Sequence, residues 1–117
     1  MKSRVLGVLA MATILAISSR AYATAYQGYV KNVYAYGSKI YVIVGNGWFD
    51  GSTGPCPLPG SMMGFAIDPA TDIGKAQLAI ALSAKTTGIL VWAAGNGACE
   101  GGPGANVEPL VALDLKG

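Results

Sequence analysis

The chain has two cysteines, and each sits in a loop rich in glycine and proline. The first loop spans Gly45 to Gly60 and holds Cys56; the second spans Gly95 to Gly104 and holds Cys99. Each follows directly on an apolar run, Ile40 to Val44 and Ile89 to Ala93. A bond between the two would gather both loops at one end of a small β-domain. Such a bridge closes a loop of about 43 residues and contributes about 3 to 4 kcal/mol, less any native strain. Two free thiols or two metal ligands are the alternative. The sequence contains no histidine, so a zinc site would have to draw on carboxylates.

A bridge of this kind needs an oxidising compartment, and the N-terminus supplies an address for one. Met1-Lys2-Ser3-Arg4 is a short basic start, and Val5 to Ile17 is apolar apart from Gly7 and Thr13. Both Ala21-Tyr22-Ala23 and Ala23-Thr24-Ala25 fit a signal-peptidase site. The apolar run falls short of the roughly 20 residues that cross a bilayer, which argues against an uncleaved anchor. The expectation is a signal peptide over residues 1–23 and one domain over 24–117, with no membrane insertion after removal of the signal. Lys2, Arg4 and Arg20 leave with it, so five lysines then face six carboxylates, a formal net charge of −1. Without a basic surplus the mature domain is a poor ligand for phosphates, and no nucleic-acid partner is expected.

Local patterns divide the rest. Gln27 to Tyr36 and Lys39 to Val44 read as strands joined by Gly37-Ser38, a two-residue turn suited to type II′. That register places Ala35 opposite Ile40, Val33 opposite Val42 and Tyr34 opposite Tyr41. Val33, Ala35, Ile40, Val42 and Val44 then form a core face. The outward face carries Tyr34, Tyr36 and Tyr41 with Ile43, Asn32 and Lys39, more aromatic than a solvated face requires. Ser61 to Asp68 predicts a third strand with Met63, Phe65 and Ile67 on one side. A helix is predicted from Pro69 to about Lys85, capped by Asp68 or Thr71 and closed near Gly88. At 100° per residue Ile73, Ala76, Gln77, Ile80 and Ala84 share the face expected to pack on the sheet. Leu78 and Leu82 form a second stripe, suited to a loop or to another subunit. Ile89 to Ala93 and Val107 to Leu115 complete the strands, with Trp92 read as core and Pro109 marking an edge or bulge.

The order β-β-β-α-β-β is that of the OB-fold, a small mainly β Greek-key barrel. In that fold the loops after the second and fourth strands share one end, as a Cys56–Cys99 disulfide requires. An open α+β sheet would accept the same order but gives the cysteines no reason to meet. The layout is similar to that of small exported bacterial proteins of uncharacterised role, with a signal peptide, a tight first hairpin and one cysteine on either side of an alanine- and leucine-rich helix. More remotely, Lys75 to Trp92, with Ala79, Leu82, Thr86-Thr87-Gly88 and Val91, resembles the helix-turn-strand of the subtilase cytotoxin B subunits. Those belong to the glycan-binding, ring-forming OB-fold subunits of bacterial AB toxins. The resemblance spans Val30 to Leu113 in layout and carries over no sugar-contacting residue. It implies an OB-fold and a binding role.

The residues themselves point away from catalysis. Without histidine there is no imidazole base and no Ser-His-Asp arrangement. Asp68 and Asp72 lie four apart at a helix start, where acidic groups offset the macrodipole. Neither Gly-Asn-Gly loop is followed by a phosphate-loop lysine. No enzyme activity, cofactor or metal is expected. The best constellation is Trp48-Phe49-Asp50, because an aromatic face beside a carboxylate suits a sugar. The competing reading folds Trp48 and Phe49 back as a lid on the core. Two functions follow: an exported glycan-binding module that forms a homo-oligomer, or an accessory periplasmic protein that binds another envelope protein.

Overall fold

The computed structural model describes residues 24–51, 54, 56, 58–101 and 107–117. They form β1 (Thr24–Tyr36), β2 (Lys39–Phe49), β3 (Met63–Ile67), α1 (Asp72–Thr87), β4 (Val91–Gly95) and β5 (Glu108–Leu115). The strands close into a barrel in the order β1-β2-β3-β5-β4, and β4 returns to β1. All pairings are antiparallel except β3 with β5, where Phe65 lies opposite Glu108 and Ala66 opposite Pro109. This is the OB-fold connectivity, and closure excludes the open sheet. Cys56 and Cys99 form a disulfide with Cα atoms 5.9 Å apart, which ties the chain after β2 to the chain after β4. The free-thiol and metal-ligand readings fall with it.

The first hairpin has the expected register: Ala35 faces Ile40, Val33 faces Val42 and Tyr34 faces Tyr41. Gly37 takes φ 63°, as the first central position of a type II′ turn demands. Both strands, however, run further than the apolar pattern indicates. β1 begins at Thr24, and β2 continues through Gly45, Asn46 and Gly47 to Phe49. The ladder survives these residues because it bulges. Tyr29 pairs with Gly45 and Gln27 with Trp48, so β2 spends one extra residue there. An added Cβ on Gly47 would lie 2.6 Å from Gly28 Cα, so only glycine fits against β1. What reads as the opening of a loop is a bulged strand.

The core fills the barrel with Tyr26, Val30, Val42, Val44, Met63, Phe65, Ile67, Val91 and Ala93, all buried. Met63, Phe65 and Ile67 share one face of β3, as the alternation implies. Ala35, placed in the core by the hairpin pattern, is exposed near the turn. The β1–β2 ladder shifts again between Val30 and Asn32, where Lys31 is the extra residue of β1, and a third bulge lies in β5, because Ala94 pairs with Ala112 and Gly95 with Leu110. Val111 is the extra residue and is exposed, and Leu110 and Leu113 both pack on the core. Simple alternation cannot put those two leucines on one side.

Helix α1 starts later than predicted. The Thr71 hydroxyl accepts from Gly74 N–H at 3.0 Å as N-cap, and Asp68 Oδ1 accepts instead from Ala70 N–H at 3.0 Å. Gly88 N–H donates to Ala84 O at 2.9 Å and ends the helix. The buried face is Gly74, Gln77, Ala81 and Ala84, turned away from the expected one; Gln77 and Ala84 are common to both. Ile73 is 65% exposed. The helix turns its smaller residues inward because they admit a close approach to β1 and β5. Gln77 is then satisfied, its Nε2 lying 3.4 Å from both Leu110 O and Val111 O beside the bulge. Among the described residues, no helix is long and apolar enough to cross a membrane.

Candidate binding face

Alternation along β2 sends its two consecutive aromatics in opposite directions. Phe49 packs against the core and meets the Tyr26 ring edge-on, with centroids 5.0 Å apart. Trp48 points away and is 53% exposed. The lid reading therefore holds for Phe49 and not for Trp48.

The pose of Trp48 is fixed from both sides. Gly47 N–H donates to the Tyr26 hydroxyl at 3.0 Å, and that hydroxyl donates to Ser61 O at 2.6 Å. One buried phenol thus clamps the bulge of β2 to the chain entering β3. On the other side Asp50 N–H donates to Ala25 O at 2.9 Å, continuing the pairing beyond β2. An exposed indole on a clamped strand end loses little conformational freedom on meeting a ligand.

The register then assembles neighbours that lie far apart in sequence. Gln27 on β1 stands opposite Trp48 on one side and Trp92 of β4 on the other. Trp48, Gln27 and Trp92 form one cross-strand row, with the two tryptophan Cα atoms about 10 Å apart at ordinary strand spacing. Trp92 was read as core from its apolar run. It is only partly buried, and its Nε1–H donates to Asp50 Oδ2 at 3.3 Å. Its strand neighbours Val91 and Ala93 are the inward residues, both fully buried. The run Val91-Trp92-Ala93-Ala94-Gly95 carries no alternation that could have placed Trp92 outside, since Ala94 is buried as well. Beyond Trp92 the row meets Asp114 on β5, exposed and 3.3 Å from Lys116 Nζ.

The three tyrosines do not join this row. Tyr34 lies seven residues beyond Gln27 on β1, roughly 20 Å along the strand. Tyr41 is buried with Ala66 and Val107, and Tyr34 packs on it with ring centroids 5.4 Å apart. Tyr36 is 64% exposed at the hairpin tip. The structure thus keeps Trp48, Asp50, Gln27 and Trp92 together at one end of the ribbon and the tyrosines at the other. Phe49 supports the first group from beneath.

The row offers an exposed aromatic face, a carboxylate held by an indole N–H, and a side-chain amide. Such groups can bind and orient a polar ligand. Among the described residues, no three of His, Cys, Asp and Glu gather in a way that could hold a metal ion. Comparison of the chain with protein-family models, curated proteins and solved structures finds no match.

Proposed function

We propose that the chain is an exported, non-catalytic binding module that takes a sugar on the Trp48 face. The observation that carries this reading is the division of labour in Trp48-Phe49. Phe49 meets the needs of the core, so the exposure of Trp48 on a clamped strand end serves something outside the barrel. Stacking on the apolar face of a pyranose suits Trp48, and Asp50 and Gln27 suit its hydroxyls. The signal-like segment before Thr24 and the Cys56–Cys99 disulfide support export. The barrel agrees with what the resemblance to the AB-toxin B subunits implies.

Intrinsic fluorescence titration of the mature protein with a panel of glycans tests the reading. A binding glycan should shift the emission, and Trp48→Ala should abolish the response. If no glycan changes the emission and none binds on an array, the sugar reading is lost. One observation favours a protein partner instead: Leu82 stands 49% exposed on α1, away from the buried face. On that second reading, envelope extract should yield one stoichiometric partner whose capture survives Trp48→Ala and is lost with Leu82→Lys.

A further inference from the structure

Glu108 opens β5 with no exposed surface at all, yet only one of its carboxyl oxygens is satisfied. Oε1 accepts from Gly97 N–H at 2.7 Å, and Oε2 has no hydrogen-bond partner. Thr24, the first residue of β1, is 1% exposed, and its Oγ1 also lacks a partner. The two groups share one site. A Cβ on Gly54 would collide with Thr24 Oγ1 and lie 3.1 Å from Glu108 Oε2. A Cβ on Gly95, which pairs with Thr24 across the ladder, would lie 2.6 Å from Glu108 Oε1. Glycines admit the carboxyl group where any larger residue would expel it.

A buried carboxylate without a counter-charge is costly. After residue 23 the sequence carries five basic side chains, Lys31, Lys39, Lys75, Lys85 and Lys116, and all lie among the described residues. The one ion pair among the described residues joins Lys116 to Asp114, so no lysine answers Glu108. A cleaved chain has one further cation, its own α-ammonium.

We propose that Glu108 is the binding site for the α-ammonium of Thr24, created when the signal segment is removed between Ala23 and Thr24. The inference rests on the export reading. A signal peptidase hydrolyses the Ala23–Thr24 peptide bond with one water, leaving a carboxylate on Ala23 and an ammonium on Thr24. Where the chain had a single amide N–H, the new terminus has three donors, on the residue whose Oγ1 shares the site with Glu108 Oε2. The alternative cut after Ala25 would remove Thr24 and Ala25, which pair with Gly95 and Ala94 and whose loss would open β1 at its start. Processing therefore completes the disulfide-bonded end of the barrel, and the unprocessed chain folds with that charge site unfilled.

The test uses the protein exported from its full-length chain. N-terminal sequencing and intact mass should give Thr24 as the first residue. An amine-acylating ester at neutral pH should modify that terminus at least tenfold more slowly in the native protein than in denaturant. Glu108→Gln should remove most of the protection. Since that variant could fail to fold, a mature chain with one extra alanine ahead of Thr24 provides a second arm. It keeps every side chain but displaces the ammonium, and its Tm should fall by about 5 °C or more. A Thr24 terminus that reacts as fast folded as unfolded, or an unchanged Tm with the extra alanine, overturns the inference and leaves export intact. A terminus at Tyr26 does the same. Exported protein that retains Met1 overturns both.

Discussion

The β1–β2 ribbon carries aromatic side chains at both ends, and the barrel treats the two ends differently. Near the hairpin turn, Tyr34 and Tyr41 pair across the strands on the outer side, where Ala66 and Val107 cover them. Near the disulfide, Trp48 and Trp92 flank Gln27, and Trp48 keeps half its surface open. Both groups lie on the outward side of the same ladder, although Tyr41 and Trp48 are seven residues apart and alternation alone would turn them opposite ways; the extra residue in each strand brings them to one side. The difference arises from the chain that crosses them. Val107, just ahead of β5, is fully buried over the tyrosine side. At the tryptophan end Phe49 and Tyr26 work from inside the barrel and hold the strand in place without covering its outer face.

The sharpest way to break this contrast is reduction of the Cys56–Cys99 bridge. Loss of the cross-link should cost about 3 to 4 kcal/mol, read as the difference between denaturant curves with and without reductant. Amide exchange should rise first around Gly47 to Asp50 and least around Tyr34 to Tyr41; a uniform rise would show that the two ends are not separately held. Tyr41→Ala comes next. A buried ring removed from the covered cluster should cost about 3 kcal/mol, while glycan-induced emission changes at Trp48 persist. A cost under about 0.5 kcal/mol, typical of surface positions, would mean that the tyrosine end is open after all.

Tyr26→Phe addresses the clamp itself. It deletes one hydroxyl that serves both Gly47 N–H and Ser61 O, and should cost about 1 to 2 kcal/mol. Heteronuclear relaxation should report new motion at Trp48, and any glycan affinity should weaken although no contacting group is lost. The smallest expected effect on stability belongs to Trp48→Ala, under about 0.5 kcal/mol, set against complete loss of the fluorescence response. A large stability loss in that variant would return Trp48 to the core and end the contrast.

How far each feature could be read from the chain depends on the range of its cause. The hairpin register follows from a two-residue turn and period-two patterning, both local, and the structure reproduces it pair for pair at Val33, Tyr34 and Ala35. The helix caps are local as well, since Thr71 and Gly88 act on backbone groups within one turn. The bulges were not legible. Gly47 and Val111 acquire their roles only from the strand opposite, against which one residue too many must be accommodated. The helix face was misjudged for a related reason: Ile73 has the better hydropathy, but Gly74, Ala81 and Ala84 have the shape that lets the backbone approach. Within the candidate site, Trp48 and Asp50 are adjacent in sequence and were legible together. Gln27 and Trp92 join them only through the ladder.

By itself, then, the sequence determined the element order, the barrel that this order implies and the meeting of Cys56 with Cys99. Each of these follows from short-range pattern plus the small set of ways in which five strands and a helix can close. Only the tertiary structure decided which aromatics stay open, which helix face is buried, and that Glu108 lies beside Thr24 at the start of β1. Burial depends on which distant segment crosses a residue, and a local pattern carries no record of that.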